Sequence, residues 1–278
     1  MKNRDDNLIN DFGEEWKKFD QKNISLSTNK EIFDKYFKIF PWEKINKNSI
    51  GMDVGSGSGR WSYFLASKVK KIFLIEPSKK AIQVSKNNLS KFLNLEYINS
   101  DASEIPIEEE SIDFCYCLGV LHHIPDIKKA LLSINKKLKI GAPFLVYIYY
   151  SFENKPLWFK IIWKITDIFR IIISRMPFML KSIICDFIAL IIYFPISRIS
   201  KILKYLNLNI SNFPLSFYAD KKIYILRNDA LDRFGTKIEQ RLNKKQICDL
   251  LEETGFNNVS FSKDEPYWCA ISYKEKNI

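Results

Sequence analysis

A short apolar strand that ends in an acid runs straight into three glycines at alternate positions: Ile50-Gly51-Met52-Asp53-Val54-Gly55-Ser56-Gly57-Ser58-Gly59-Arg60-Trp61. The following stretch, Trp61 to Val69, has the pattern of a helix. A strand, a glycine loop and a helix in that order let a polar ligand lie against bare backbone, because glycine has no Cβ to block the approach. The acid two residues before the first glycine narrows the choice of ligand. A carboxylate there suits a ligand that carries an ammonium group and suits a pyrophosphate badly. The dinucleotide fingerprint G-x-G-x-x-G also needs a third glycine where this chain has Arg60.

The chain continues in alternation. Lys71 to Ile75 is a second buried strand that ends at Glu76, 23 residues after Asp53. An acid at that place can accept hydrogen bonds from two vicinal hydroxyls. Ser78 to Leu93 predicts a helix and Leu95 to Ile98 a third strand, followed by Asp101-Ala102. Ile112 to Cys117 is a fourth strand leading into Leu118-Gly119-Val120-Leu121-His122-His123-Ile124-Pro125-Asp126, and Pro143 to Ile148 is a fifth. Strands alternating with helices predict an α/β, Rossmann-like, doubly wound sheet that is mostly parallel. Val259 to Ser262 and Trp268 to Tyr273 add an antiparallel pair at the C-terminal edge, after a helix from Lys244 to Glu253 capped by Asn243 and ended by Gly255. Ligands of such sheets lie at the carboxyl ends of the strands, where Asp53, Glu76, Asp101 and Leu118-Gly119 all fall.

These residues resemble the class I S-adenosylmethionine-dependent methyltransferases, within the branch that holds quinone-biosynthesis and many small-molecule enzymes. The resemblance spans residues 49–126 and rests on Asp53–Gly59, Glu76-Pro77-Ser78, Asp101-Ala102 and Leu118–Asp126. It implies that Gly55, Ser56, Gly57 and Gly59 pass under the amino-acid moiety of S-adenosylmethionine, with Asp53 near its ammonium. It further implies that Glu76, followed by Ser78, holds the ribose, that Asp101 and Ala102 meet the adenine, and that Leu118 and Gly119 lie along the methionine portion. The expected domains are N-terminal cap helices over 1–48, a cofactor-binding core over 49–150, a helical insertion over 151–239, and the rest of the core sheet over 240–278. In Phe12–Phe19, Trp16 and Phe19 stand three apart on one helical face and either anchor that helix on the core or form part of a cap over the site.

His122 and His123 are the chain's two histidines and follow the fourth strand. Histidine is the natural base near neutral pH, and His123 is the candidate catalytic base against a structural role for both. Tyr149 and Tyr150, at the end of the fifth strand, either line an acceptor pocket or pack in the core. Arg227 either binds an anionic group of the substrate or forms an ion pair that pins the insertion to the core.

The net charge of +11 invites a search for an anionic partner. Residues 155–226 hold eleven Lys and Arg against three Asp, so most of the excess sits in the insertion. Polar residues recur there at three to four (Lys160, Lys164, Asp167, Arg170, Ser174, Arg175) and form one narrow stripe on an otherwise apolar helix. Three readings follow: a membrane span, a basic amphipathic segment on an anionic membrane surface, or a lid packed on the core or on a second subunit. Nucleic acid is the weaker partner, because the basic segment is heavily apolar and no Asn-Pro-Pro-Tyr-type tetrapeptide follows the fourth strand. Five cysteines without metal spacing, and an N-terminus that leads into no apolar signal segment, predict reduced thiols, no metal and a cytoplasmic setting, peripheral at the inner membrane face if the insertion binds lipid. The expected function is methyl transfer to a small or lipid-linked acceptor at oxygen, nitrogen or carbon. A nucleic-acid methyltransferase and a non-catalytic, cofactor-binding adaptor are the alternatives, and the oligomeric state is left open.

Overall fold

Seven strands form one sheet in the order β3-β2-β1-β4-β5-β7-β6 in a computed structural model that describes residues 3–276 except Ser211. The strands are β1 Ile50–Val54, β2 Lys71–Ile75, β3 Leu95–Ile98, β4 Phe114–Leu118, β5 Pro143–Tyr147, β6 Phe256–Phe261 and β7 Cys269–Lys274. The first five are parallel. The strand that opposes them is β7, which pairs antiparallel with both β5 and β6, so β6 forms the edge. The chain moves outward from β1 to β2 and β3, then restarts on the other side of β1 with β4. That reversal opens a crevice above the carboxyl ends of β1 and β4.

Residue alternation along the strands supplies two apolar layers. Met52, Val54, Cys115 and Cys117 face a cluster shared with α5 (Ile127–Lys137) and α10 (Lys244–Glu253). Leu74, Tyr116 and Leu145 face the opposite layer, which Phe33, Phe37 and Phe40 fill from α2 (Leu26–Tyr36) and the turn after it. Asp53 is in register with Leu74 and Tyr116, so it shares their layer. The helix after the glycine loop, α3, is only Ser62–Leu65, shorter than the sequence predicts, and gives way to a 3-10 turn over Ala66–Lys68. Asn94 explains the early stop: its side-chain amide donates to the carbonyls of Ala66 (2.7 Å) and Val69 (3.0 Å), taking acceptors that a longer helix would use. α10 begins with a full capping box between Asn243 and Gln246.

The chain divides into two units. The first runs to Ser151 and resumes at Ile238; the second is Phe152–Lys237. The second unit is all helical, with α6 (Leu157–Ile173), a continuous helix over Phe178–Tyr205 and α9 (Ile223–Gly235). Within the continuous helix, α7 (Phe178–Ile188) passes through a π turn at Ala189–Tyr193 into α8 (Phe194–Tyr205). The π turn lies just ahead of Pro195, whose ring leaves one helical carbonyl without its usual N–H partner.

Candidate active site

The glycine loop folds back on the end of β2: Gly55 N and Ser56 N both donate to the Ile75 carbonyl, at 2.8 and 3.2 Å. Gly55, Gly57 and Gly59 all have positive φ. Gly57 shows why a side chain is excluded: an added Cβ would stand 2.7 Å from the Trp16 indole. Trp16 belongs to α1 (Asp6–Lys18), which therefore roofs the loop. The same helix crosses α4 (Lys79–Asn88) at Gly13, where a Cβ would come within 2.3 Å of Ser78 Oγ, and it carries Phe12 to 5.1 Å from the His123 ring. Lys80 pairs with Glu14 across this contact. Asn3 ties the segment ahead of α1 to the turns after β3 and β4, donating to Ser103 Oγ (2.6 Å) and the Asp126 carbonyl (2.7 Å). Trp16 lies against the glycine loop and Phe12 beside the His123 ring, whereas Phe19 is buried in the core.

Glu76 follows β2 directly and is buried. Its two carboxylate oxygens accept from Gly57 N and Ser78 N, each at 2.9 Å, so one acid joins the loops after β1 and β2. Burial raises its pKa to about 7 against the restraining effect of those two donors. Asp53 is buried beneath the loop and accepts from Ser62 Oγ at 2.7 Å, while the same hydroxyl meets Tyr116 Oη at 2.7 Å. Burial again raises its pKa to about 7, with the hydroxyls of Ser62 and Tyr116 opposing. Asp53 thus faces the layer below the loop, one step from the ligand side. Asp101 closes a turn by accepting from Ser103 N at 2.8 Å, and Ala102 is buried beside it. Leu118 ends β4, and Gly119 follows with φ +80° and nothing within 4 Å of where its Cβ would be. The hydroxyls of Ser56 and Ser58 are buried in the loop with no partner among the described residues.

The histidines occupy the turn after β4. His122 lies flat on Tyr149, with centroids 3.7 Å apart and planes 19° apart, and its Nδ1 accepts from Tyr149 N at 3.3 Å. Burial holds its pKa well below the usual imidazole range, with the neighbouring His123 and Arg241 adding to the effect. His123 Nδ1 meets the Ile238 carbonyl at 2.7 Å. A carbonyl only accepts, so Nδ1 carries the hydrogen and the neutral ring has its lone pair on Nε2. Tyr149 and Tyr150 point apart: Tyr150 packs against Tyr267 (5.6 Å) and Trp268 (6.1 Å) at the C-terminal strands. Arg227 lies in the second unit, where it grips Asp186 of the same unit with two hydrogen bonds of 2.9 Å, so this pair braces the insertion internally and does not tie it to the core. Among the described residues, no group of three or more His, Cys, Asp or Glu is gathered as a metal site.

Residues 238–242 bring the chain back from the insertion to the first unit. This returning segment runs beside the histidine turn: Gln240 N donates to the His122 carbonyl (2.9 Å), Gln240 Nε2 to the Ile124 carbonyl (2.6 Å), and Leu242 N to the Tyr149 carbonyl (2.9 Å). Arg241 lies over Tyr149 at 4.8 Å and pairs with the buried Glu239 at 2.7 Å. The segment carries no strand periodicity and is more than a hundred residues from the turn it supports, so no local signal marks it.

Residues 52–146 match the family described as a methyltransferase domain. Those residues are a class I methyltransferase domain. A curated relative, the demethylmenaquinone methyltransferase of Staphylococcus aureus, is 29% identical over 101 residues, which cover 35% of this chain and 42% of the relative. The chain thus spans less than half the length of the curated relatives it matches. Among solved structures, a SAM-dependent methyltransferase from Thermotoga maritima has 13% identity and a TM-score of 0.54, over 97% of this chain and 100% of that one. A protein of Bacillus halodurans C-125 has 16% identity and a TM-score of 0.50, over 82% of this chain and 69% of that one. At such identities these two likenesses concern the fold. The site fits S-adenosylmethionine on its own terms. The loop hydroxyls of Ser56 and Ser58 await polar partners, Glu76 keeps acceptor capacity on both oxygens, and the space beside Gly119 is open.

Proposed function

We propose that the protein catalyses methyl transfer from S-adenosylmethionine to a small or lipid-linked acceptor. The observation that carries this reading is the buried Glu76 carboxylate, which bridges Gly57 N and Ser78 N at the crevice and retains lone pairs for two vicinal hydroxyls. S-adenosylmethionine supplies an activated methyl group on a sulfonium, and the chain's own task is to bind, align and exclude water. In this reading the Gly55–Gly59 backbone and the hydroxyls of Ser56 and Ser58 receive the amino-acid end, and Asp53 supplies negative charge from beneath. Asp101 Oδ2 and the Ala102 backbone take the adenine edge, while Leu118 and Gly119 flank the methionine chain. Trp16 and Phe12 roof the site and keep water out.

His123 is the proposed general base where the acceptor must lose a proton. Its Nδ1–H is committed to Ile238, which orients the ring and leaves Nε2 as the basic atom. Tyr149, held by His122 and Arg241, offers a rigid aromatic face to the acceptor. The Staphylococcus aureus relative is named for demethylmenaquinone, which supports an acceptor of that general kind without fixing the atom that is methylated.

Calorimetry should register S-adenosylhomocysteine and no comparable NAD binding. Glu76→Gln should weaken the former by about 1.5–3 kcal/mol, the scale of hydrogen bonds to a charged group. Labelled methyl should then pass to a component of cell extract and fail to do so with His123→Ala if that acceptor is a hydroxyl. Tight NAD binding with no response to S-adenosylhomocysteine would sink the reading.

A further inference from the structure

The second unit is built with its polar side inward. In α6, the buried side is Arg170, Ile173 and then Ser174; in the Phe178–Tyr205 helix it is Lys181, Ser182, Cys185, Ala189, Ser197 and Ser200. Those polar groups are satisfied within the unit. Arg170 donates to the carbonyls of Thr236 (3.1 Å) and Lys237 (3.0 Å) and pairs with Asp167 at 2.6 Å. Lys181 donates to the Gly235 carbonyl at 2.8 Å, Ser197 to the Phe194 carbonyl at 2.8 Å, and Asp186 holds Arg227. The stripe of polar residues that the sequence places on one side of α6 therefore has Asp167, Arg170 and Ser174 turned towards α9 and the unit's interior, and not towards solvent.

The outward side is aliphatic. Between Leu157 and Leu208 the large apolar side chains left exposed include Ile165 (52%), Ile168 (59%), Met179 (78%), Leu190 (56%) and Ile191 (66%). Elsewhere in the chain only Leu26, Leu93 and Ile140 are comparably exposed among the described residues. A water-soluble helical unit places these classes the other way round, and apolar patches of this extent mark an interaction surface. Small residues on the inner face (Ser182, Cys185, Ala189, Ser197, Ser200) and polar side chains paired internally are features that a lipid environment favours in packed helices. The helix over Phe178–Tyr205 has 28 residues and a mean hydropathy of 2.0 in its most apolar window. At 1.5 Å per residue its length is about 42 Å, more than the ~30 Å hydrocarbon layer.

We infer that α6 and the Phe178–Tyr205 helix bed their outward face in the hydrocarbon of a lipid bilayer. Charge decides between a bilayer and a second copy of this chain as the occupant. The second unit holds fourteen Lys and Arg against six Asp and Glu, a net +8 of the chain's +11. Two such units face to face repel each other, whereas an anionic lipid surface attracts them. Lys164 is exposed and Lys160 half-buried along the flank of α6, between the aliphatic side and the polar side. From that boundary a long side chain reaches the headgroups while its stem stays in the apolar layer. This inference does not depend on the methyltransferase reading.

The test is flotation of the full chain with vesicles of phosphatidylcholine alone and of phosphatidylcholine with about a quarter phosphatidylglycerol. The protein should float with both at low salt, and more strongly with the anionic vesicles. Raised salt should remove that excess and leave the rest, because screening acts on charge and not on apolar insertion. Ile165→Glu and Leu190→Glu should each lower partitioning by about tenfold or more, because a charge in the apolar layer is costly. Ile140→Glu, on an exposed residue of the first unit, should change nothing. Brominated lipid should quench Trp158 in the unmodified protein, with Trp158→Phe as the reference, a readout that needs no charge-bearing variant to fold. Two results would overturn the inference: wild-type protein that stays monodisperse without detergent and floats with neither vesicle, or a dimer in solution that Ile165→Glu dissociates while vesicles are ignored. Calorimetry with S-adenosylhomocysteine on the same samples reports separately on the first unit.

Discussion

Two buried acids, Asp53 and Glu76, set the pH behaviour of the site. Both are pushed up to about 7 by burial, from ordinary values of 3.8 and 4.5. Between those ordinary values and 7, the folded chain keeps protons that the unfolded chain has released. Stability from these two groups is therefore greatest below pH 4 and declines as pH rises to 7, each group contributing ~1.4 kcal/mol for each pH unit between its two values. Other acids pull the opposite way, because ion pairs or hydrogen bonds hold Glu14, Asp167 and Asp220 below the usual carboxylate range. The comparison that isolates the site is Asp53→Asn, which keeps an acceptor for Ser62 and removes the charge. Unfolding of the unliganded proteins, followed from pH 5 to pH 8, should show the variant gaining on the wild type by on the order of 2–4 kcal/mol across that range. The two proteins should run parallel above pH 8. If the gap between them is the same at both ends of the range, Asp53 is ionised throughout and its surroundings are wetter than its burial implies. A cofactor bearing an ammonium and a sulfonium should favour the ionised acids, so binding near pH 7 should release protons, visible as a buffer-dependent enthalpy.

At the scale of elements, the strands and their terminal acids are legible because each strand end coincides with a change of residue type. The Lys71–Ile75 run breaks at Glu76, and the apolar Phe114–Leu118 run breaks at Gly119. The capping box at Asn243 is equally local. What local patterns leave out is set by distant residues: Asn94 stops α3, and Gln240 braces the histidine turn from the far side of the insertion. The role of α1 belongs with these. Trp16 is visible as an aromatic of that helix, but its place over the cofactor loop is set by contacts of α1 with α4, Gly13 against Ser78 and Glu14 against Lys80. Gly13→Leu should therefore act at a distance. Its side chain overlaps Ser78 and Lys80, at a cost of about 1–3 kcal/mol for overpacking, partly offset by the ~1 kcal/mol that glycine costs a helix. The helix should tilt off α4 and lift Trp16 from Gly57. S-adenosylhomocysteine affinity should fall several-fold, and the amides of α1 should lose exchange protection. Unchanged affinity with an unprotected α1 would mean that the helix is an anchor and no roof.

At the scale of the whole chain, the two units follow opposite rules of construction. The first has two apolar layers on a seven-stranded sheet and carries only +3 of the net charge, being what remains of +11 after the +8 of the second. The second unit puts serines, lysine and arginine inside and isoleucines outside. Its charge excess and its periodicity are plain in the sequence; the direction in which its polar stripe faces is not, because a helical stripe looks the same from either side. Units built so differently should respond differently to ligand. S-adenosylhomocysteine at about a hundred times its dissociation constant adds ~2.7 kcal/mol to whatever unfolds together with its site. Hydrogen exchange on the full chain should show that gain in β1, β2, β4 and α4, with α1 included. Amides of α6, α7, α8 and α9 should keep the protection they had, and should instead gain it when vesicles are added. An equal gain across both units with S-adenosylhomocysteine alone would mean that they unfold as one cooperative body and that the polar interior of the second is held together by the first.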